Sequence, residues 1–512
     1  MAKICLCMTA RTLKRNLEIL DKYRKYTDIV ELRVDCLDPD ERLLIRRFPE
    51  QAGLPVILTI RRDIDGGRYI GGEGARISLM ARGLAYAETD RRRNFAYLDL
   101  EDDLNAPSLE EAARTFGTRI IRSYHNVNGT DADLSAKIHS IRHSGDEIVK
   151  VAIKANSTRD VHRLLRAGKE CEGQEKILIA MGHYGIYSRI LAEQFGSFLS
   201  YASAHAETDV PSAAPGQIEV QELASLYRFR SITKNTKVYG VVGNPLKATG
   251  SPQFFNTVYD LEGTNAVYVP FPTDSITDFM ELANELKVEG ISVTVPYKEA
   301  ILPFLDSQSD EVRHIGACNT LRLTPHGWLG TNTDARGFSD SLLAFTGIPN
   351  FKRQRITVIG AGGAARAIVY ELHRLGATKV LILNRTAHKA RQLASPYKFI
   401  WGGMDDRNIE KIDKYSDIII QTTSVGMEGT NSGDPSTPGD PLAMYNFSGR
   451  EVVMDVVYKP KMTAFLNRAS NADCNVQNGY DMLIRQARYQ YTQFTGKEFP
   501  EHFLSRVEFG ET

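Results

Sequence analysis

Residues 146–156 read "DEIVKVAIKAN". Side chains alternate along a strand, so Val149, Val151 and Ile153 share one face, and Lys150, Ala152 and Lys154 the other. The run is short, apolar and rich in β-branched residues, which predicts a buried strand. An ammonium beside an alanine on such a strand is costly unless it has a partner or a chemical task.

The same pattern recurs outward from this stretch. Strand-like segments are "KICLCM" (3–8), "IVELRVD" (29–35), "PVILTIR" (55–61), "FAYLDLE" (95–101), "RIIRSYH" (119–125), "EIVKVAIK" (147–154), "KILIAMG" (176–182) and "FLSYAS" (198–203). Helical patterns such as "TLKRNLEILDKYRKY" lie between most of them. Eight strands alternating with helices over roughly 220 residues predict a (β/α)8 barrel. The polar, aperiodic run "RSITKNTK" (230–237) then marks a linker, and a second α/β system starts at "KVYGVVGNP" (237–245).

A chain of 512 residues is too long for one ordinary core. Lys plus Arg and Asp plus Glu are both 63, so no net charge favours nucleic acid or an anionic membrane. No apolar run is long enough to span a bilayer or act as a signal peptide. Cys5, Cys7, Cys36, Cys171, Cys318 and Cys474 form no C-x-x-C pair. They read as reduced thiols of a cytoplasmic protein with no metal site, and Cys5 and Cys7 as small buried thiols on the first strand.

The active site of such a barrel lies at the C-terminal ends of its strands. Those ends carry Glu31, Arg33, Asp35, Arg61, Asp65, Asp99, Glu101, His125 and Lys150, with Arg189 following the seventh strand. Taken singly, Asp35, Asp99 and Lys154 read as solvated strand ends. A buried lysine freed of its proton attacks a ketone to form an imine, which acidifies the adjacent C–H. His125, oriented by Asp65, then suits the general acid and base. A structural lysine paired with Glu147 or Glu101 is the alternative.

"ELRVD", "TIR…DGG", "SYHN", "IVKVA", "MGHYGIYSRI" and "APGQ" resemble type I 3-dehydroquinate dehydratase over nearly all of residues 1–222. The resemblance implies Lys150 as the Schiff-base lysine, His125 as the acid/base, and Glu31, Arg33, Arg61, Arg189 and Gln217 as substrate contacts. It also marks departures. Asp65 stands where the family usually has Glu. Ala213 stands where it has Ser or Thr, leaving Ser212 as a possible substitute.

In the second half, "VIGAGGAARA" places Gly360, Ala361, Gly362, Gly363 and Ala364 between an apolar strand and a helix. Backbone N–H groups and a helix N-terminus there suit a pyrophosphate. The next strand ends in Asn384, Arg385 and Thr386, where an NAD site would place an acidic residue. A guanidinium suits a 2′-phosphate, which predicts NADP(H); an exposed charged loop is the alternative.

"GNPLKATGSPQFFN", "ISVTVPYKEA", "GACNT", "GTNTDARG", "TTSVGM", "DVVYKPKMTAFL" and "GYDMLIRQA" resemble shikimate dehydrogenase from residue 237 to about 500. The resemblance implies Lys298 and Asp334 as the catalytic pair, and Thr249, Ser251, Thr294, Asn319, Tyr458 and Gln486 as substrate contacts. It places Val456 and Gly479 beside the nicotinamide. The family's usual HSxS reads Ala248-Thr249-Gly250-Ser251, and Ser292 stands where Asn is common.

The two halves therefore resemble a fused dehydratase–dehydrogenase acting on small molecules: 3-dehydroquinate, 3-dehydroshikimate and shikimate. The expected domains are the barrel at 1–230, a substrate-binding domain at 237–335 completed by 479–512, and a Rossmann-like NADP domain at 336–478. No cofactor is expected in the barrel. A quinate dehydrogenase in the second half, or a quinate- or shikimate-binding regulator, are the rival readings.

Overall fold

The computed structural model describes residues 1–84, 86, 90–207, 210–246, 250–428 and 439–507. By compactness the chain divides into two units. One comprises Met1–Gly240 and Asn256–Val288; the other comprises Val241–Phe255 and Glu289–Thr512.

In the first unit, strands β1 (Lys3–Met8), β2 (Ile29–Arg33), β3 (Val56–Thr59), β4 (Tyr97–Glu101), β5 (Arg119–Asn126), β6 (Ile148–Lys154), β7 (Lys176–Met181) and β8 (Leu199–Ser203) follow in order. Each pairs in parallel with its sequence neighbour up to β7, and β1 pairs with β8. A parallel bridge between Lys176 and Ser197, just before β8, closes the ring. Every predicted barrel strand is present. The two-residue β9 (Ile218–Glu219), which the sequence pattern does not reveal, extends the sheet beyond β8. Ile29, Ile57, Ile121, Ile148, Ile177 and Ile179 fill the interior together with Cys5, Cys7, Leu199 and Tyr201. Branched side chains from alternate strand positions fill such a barrel in layers.

The polar run after the barrel is tied down. Arg230 Nε donates to Asp28 Oδ1 at 3.0 Å, and Ile232 is buried. The same unit holds β11 (Ala266–Pro272), which follows β10 (Lys237–Gly243), and the helix Ile276–Glu285. That helix lies along the barrel helix Thr158–Glu170. Thr158 N donates to Asp274 Oδ1 at 2.8 Å, Arg159 pairs with Asp278 at 2.8 Å, and His162 with Glu285 at 2.7 Å.

In the second unit, β12 (Val288–Val293), β13 (Ser307–Gln308), β14 (Thr320–Thr324) and β15 (Gly327–Thr331) pair in the order β12-β14-β15-β13. Strands β16 (Arg355–Ile359), β17 (Lys379–Asn384), β18 (Ile400–Gly403), β19 (Ile418–Gln421), β20 (Val452–Asp455) and β21 (Asn475–Gln477) form a parallel sheet in the order β18-β17-β16-β19-β20-β21. This is the doubly wound dinucleotide-binding order, reversing between β16 and β19. Apolar clusters built on Val358, Ile382 and Ile420, and on Ile359, Leu383 and Ile419, cover its two faces. Among the described residues no helix is long and apolar enough to cross a membrane.

Candidate active sites

Glu31, Arg33, Arg61, Asp65, His125, Lys150, Arg189 and Gln217 all line one cavity at the strand ends of the barrel. Ala152 joins Lys150 there, while Lys154 is exposed. Strand alternation thus places the lysine of the opening stretch in the cavity wall.

Lys150 Nζ lies 2.8 Å from Asp99 Oδ2 and 3.8 Å from Glu31 Oε1. Neither Glu147 nor Glu101 is its partner. Glu147 holds Arg122 at 2.7 Å, and Glu101 holds Arg61 and Arg76, each at 2.7 Å. Asp99 is not a solvated strand end either. It is buried and binds Arg61, Ser123 and Lys150. Burial alone would push its carboxyl up, but Arg61 and Lys150 outweigh it and hold the group well below the usual carboxylate range. Asp35 is likewise buried, accepting both nitrogens of a bidentate contact from Arg33 at 3.0 and 2.8 Å.

The expected contact between Asp65 and His125 is absent. Asp65 Oδ2 accepts from Arg62 Nε at 2.6 Å, inside its own turn, and His125 Nδ1 has no hydrogen-bond partner. An aspartate is one methylene shorter than the usual glutamate, and the neighbouring guanidinium claims it. Burial, then Arg61 and Lys150, push the His125 imidazole well below its ordinary value. The ring is therefore neutral near pH 7 and able to accept a proton.

Arg189 differs from the other guanidiniums of the cavity. Arg33 and Arg61 are each held by carboxylates. Arg189 is buried and, among the described residues, meets the carbonyls of Tyr201 and Pro215, at 3.4 and 3.3 Å, with Nε unpartnered. Burial pushes it down to about 10. Gln217 is braced from three sides: its Oε1 accepts from Ser212 Oγ and Ala213 N, and its Nε2 donates to Cys7 Sγ at 3.1 Å. Ser212 is not among the residues lining the cavity, and its hydroxyl is bonded to the Ala214 carbonyl and to Gln217. Cys7 also donates to Glu31 Oε2 at 3.2 Å. Cys7 and Tyr201, which line the cavity, and the contact of Asp99 with Lys150 are features that the sequence pattern did not reveal. Their only signal is strand parity, which aims Tyr201 inward with Leu199.

The second site gathers around Asp334, in the first turn of the helix Thr333–Thr346. Lys298 Nζ donates to its Oδ2 at 2.5 Å, and Asn319 Nδ2 to its Oδ1 at 2.8 Å. Gln486 Oε1 lies 3.5 Å from Asn319 Nδ2. Ser251 opens the helix Ser251–Leu261, and the preceding Gly250 N–H contacts the hydroxyl of the half-buried Tyr458. Thr294 follows the end of β12, its N–H on the Val242 carbonyl at 2.9 Å. Ser292 has a structural explanation: its hydroxyl bonds Gln490 on the helix that carries Gln486. Thr249 and Ala248 lie outside the described residues.

Gly360 sits at the end of β16 with φ +114°, and a Cβ there would lie 2.3 Å from Thr422 Oγ1. Only glycine fits this left-handed, crowded turn at the sheet's reversal point. Gly362 caps the helix Gly363–Arg374, and a Cβ on it would meet nothing within 4 Å, which leaves room for a phosphate against the helix N-terminus. Ala361 is buried, and Ala364 is half-buried in the first turn. Asn384 bonds the Thr386 carbonyl at 3.0 Å, and both Arg385 and Thr386 are exposed. Gly479 backs so closely onto Val456 that a Cβ would meet its carbonyl oxygen at 2.0 Å.

A lysine-bearing barrel followed by a dinucleotide-binding oxidoreductase is the class of protein that this fold and these sites define. Family models match in the same order: "Type I 3-dehydroquinase" over residues 4–234, "Shikimate dehydrogenase substrate binding domain" over 241–321, and "Shikimate / quinate 5-dehydrogenase" over 343–428. The chain is similar to the bifunctional 3-dehydroquinate dehydratase/shikimate dehydrogenase of Arabidopsis thaliana, at 29% identity over 98% of this chain and 84% of the relative. It is similar to the shikimate dehydrogenase (NADP(+)) of Caldanaerobacter subterraneus, at 35% identity over 55% of this chain and 99% of the relative. A solved structure of dehydroquinate dehydratase and shikimate dehydrogenase from S. pombe AroM aligns at 26% identity and TM-score 0.42, over 99% of this chain and 98% of that one. The chain belongs to the type I 3-dehydroquinase and shikimate dehydrogenase families, joined in one polypeptide.

Proposed function

We propose that this bifunctional dehydroquinate dehydratase and shikimate dehydrogenase works through two self-sufficient sites. The observation that carries the reading is the pair of lysine–aspartate contacts, Lys150–Asp99 and Lys298–Asp334, each inside a set of expected neighbours.

In the barrel, Arg189 takes the substrate carboxylate, because it is the cavity guanidinium without a carboxylate partner among the described residues. Lys150 attacks the ketone carbon and expels water as the imine forms. The imine draws electrons from the neighbouring C–H. Neutral His125 takes that proton and returns one to the leaving hydroxyl, so the second water departs and the ring gains a double bond. Hydrolysis of the imine then restores Lys150 and yields 3-dehydroshikimate. Asp99 positions the amine. Glu31, Arg33, Arg61 and Gln217 position the ring, and Asp65 borders it.

In the second unit, Gly360, Gly362, Gly363 and the helix behind them would hold the pyrophosphate of NADP(H), with Asn384, Arg385 and Thr386 at the ribose phosphate and Val456 and Gly479 at the nicotinamide. When bound, the dinucleotide supplies a hydride to the ketone carbon. Lys298, held by Asp334, delivers the proton to the oxygen. Asn319, Gln486, Thr249, Ser251, Thr294 and Tyr458 hold the hydroxyls and carboxylate; the retained hydroxyls of Ser251 and Thr294 favour shikimate over quinate. A coupled assay from 3-dehydroquinate to shikimate, followed by loss of NADPH absorbance, tests both sites; no absorbance change on either 3-dehydroquinate or 3-dehydroshikimate would refute it.

Arg385→Ala should weaken NADP binding roughly 10- to 150-fold while leaving NAD nearly unaffected, as expected for a lost charge-assisted contact to a phosphate of about 1.5–3 kcal/mol. Dissociation constants for both dinucleotides check this, and equal losses would show that Arg385 does not read the 2′-phosphate.

For the domains we propose 1–230, 237–335 completed by 479–512, and 336–478. Every residue lining the barrel cavity precedes residue 218, so a 1–230 fragment should keep dehydratase activity. It should melt several degrees lower than the full chain, because it loses Asp274, Asp278 and Glu285 as partners of Thr158, Arg159 and His162. A fragment that folds but turns over only when residues 235–512 are added would refute independent sites.

A further inference from the structure

Tyr201 lies at the centre of β8 and lines the barrel cavity, yet it is 3% exposed and its hydroxyl has no hydrogen-bond partner. A buried hydroxyl without a partner is rare, because it has given up water for nothing. Burial pushes its phenol well above the ordinary value, followed by the charge of Glu31, so the group stays a protonated donor. Lys150 Nζ sits over its ring, 4.5 Å from the centroid, so the ring stands against the amine that would attack the ketone.

The other polar groups of the cavity already carry partners within the protein. Arg33 is held by Asp35, Arg61 by Asp99 and Glu101, and the Gln217 amide by Ser212, Ala213 and Cys7. Among the described residues lining the cavity, three side chains keep a fully buried polar atom without a partner: His125 at Nδ1, Arg189 at Nε and Tyr201 at its hydroxyl. His125 is taken by proton transfer and Arg189 by a carboxylate. Tyr201 also carries the sole side-chain hydroxyl among those residues, since Ala213 has none.

We propose that Tyr201 is a further substrate-binding residue of the dehydratase, donating its hydroxyl to a ring hydroxyl of the polyhydroxylated substrate and supplying the hydrogen bond that Ala213 lacks. The assignment rests on the reading of this cavity as the dehydratase site. Tyr201→Phe removes one oxygen and no internal bond, so the variant should fold with an unchanged or higher Tm. Its kcat/KM for 3-dehydroquinate should fall about 3- to 12-fold, the worth of one neutral hydrogen bond.

Analogues of the substrate that each lack one ring hydroxyl identify the partner. One of them should be penalised in the parent enzyme and not penalised again in Tyr201→Phe, closing a double-mutant cycle. An unchanged kcat/KM in the variant overturns the assignment, and so do fully additive penalties for every analogue. A parent enzyme that fails to dehydrate 3-dehydroquinate overturns instead the reading of the cavity beneath it, and this assignment with it.

Discussion

Lys150→Ala is expected to abolish dehydration of 3-dehydroquinate and to leave shikimate oxidation at the parental rate. No other described side chain lining the cavity can form the imine, since the remaining nitrogen groups are guanidiniums, an imidazole and an amide. Loss of the ammonium does not leave Asp99 bare, because Arg61 Nη2 stays on it at 2.6 Å and Ser123 Oγ at 2.6 Å. The variant should therefore fold, and its second activity provides the control. Borohydride added to the parent with substrate should fix a covalent adduct on Lys150. Recovery of the adduct on Lys154, which is exposed at the end of the same strand, would contradict the assignment.

Lys298→Ala should produce the mirror image. Shikimate oxidation should drop by about 10²- to 10⁴-fold, the usual worth of a positioned proton donor, while dehydration continues. Asp334 keeps its bond from Asn319 at 2.8 Å and its place in the first turn of a helix, where a carboxylate is favoured. The lysine is also close to the phosphate loop, since a Cβ on Gly363 would meet Lys298 Cβ at 2.9 Å. A truncation at 298 could thus disturb dinucleotide binding. Comparing kcat with KM for both substrates separates the two effects. A raised KM with kcat intact would make Lys298 a binding group rather than a proton donor.

The barrel was legible because each of its strands alternates or runs apolar between helices, and parity placed Lys150 on the cavity side without further information. The glycines of the dinucleotide loop were legible because their spacing follows from steric demands of the turn. What stayed hidden depends on contacts between distant residues. Parity cannot say whether Asp99 meets water or three cationic and hydroxyl partners. Asp65 lost its expected partner to Arg62, a choice decided by side-chain length within one turn. Cys7 and Tyr201 look like core residues at inward positions, and only the closed ring shows that they face a cavity. The roles of Lys298 and Asp334 came from resemblance; no local pattern distinguishes that pair from a surface ion pair.

The segment Asn256–Val288 belongs in sequence to the region matched by the shikimate dehydrogenase substrate-binding family, yet by compactness it goes with the barrel. Its acidic side chains Asp274, Asp278 and Glu285 meet a threonine, an arginine and a histidine of the barrel helix Thr158–Glu170. Ancestry and mechanics thus cut this polypeptide at different places. Anyone grafting a free-standing dehydrogenase onto this barrel would leave the helix Thr158–Glu170 unmatched unless those three acids travelled with the graft.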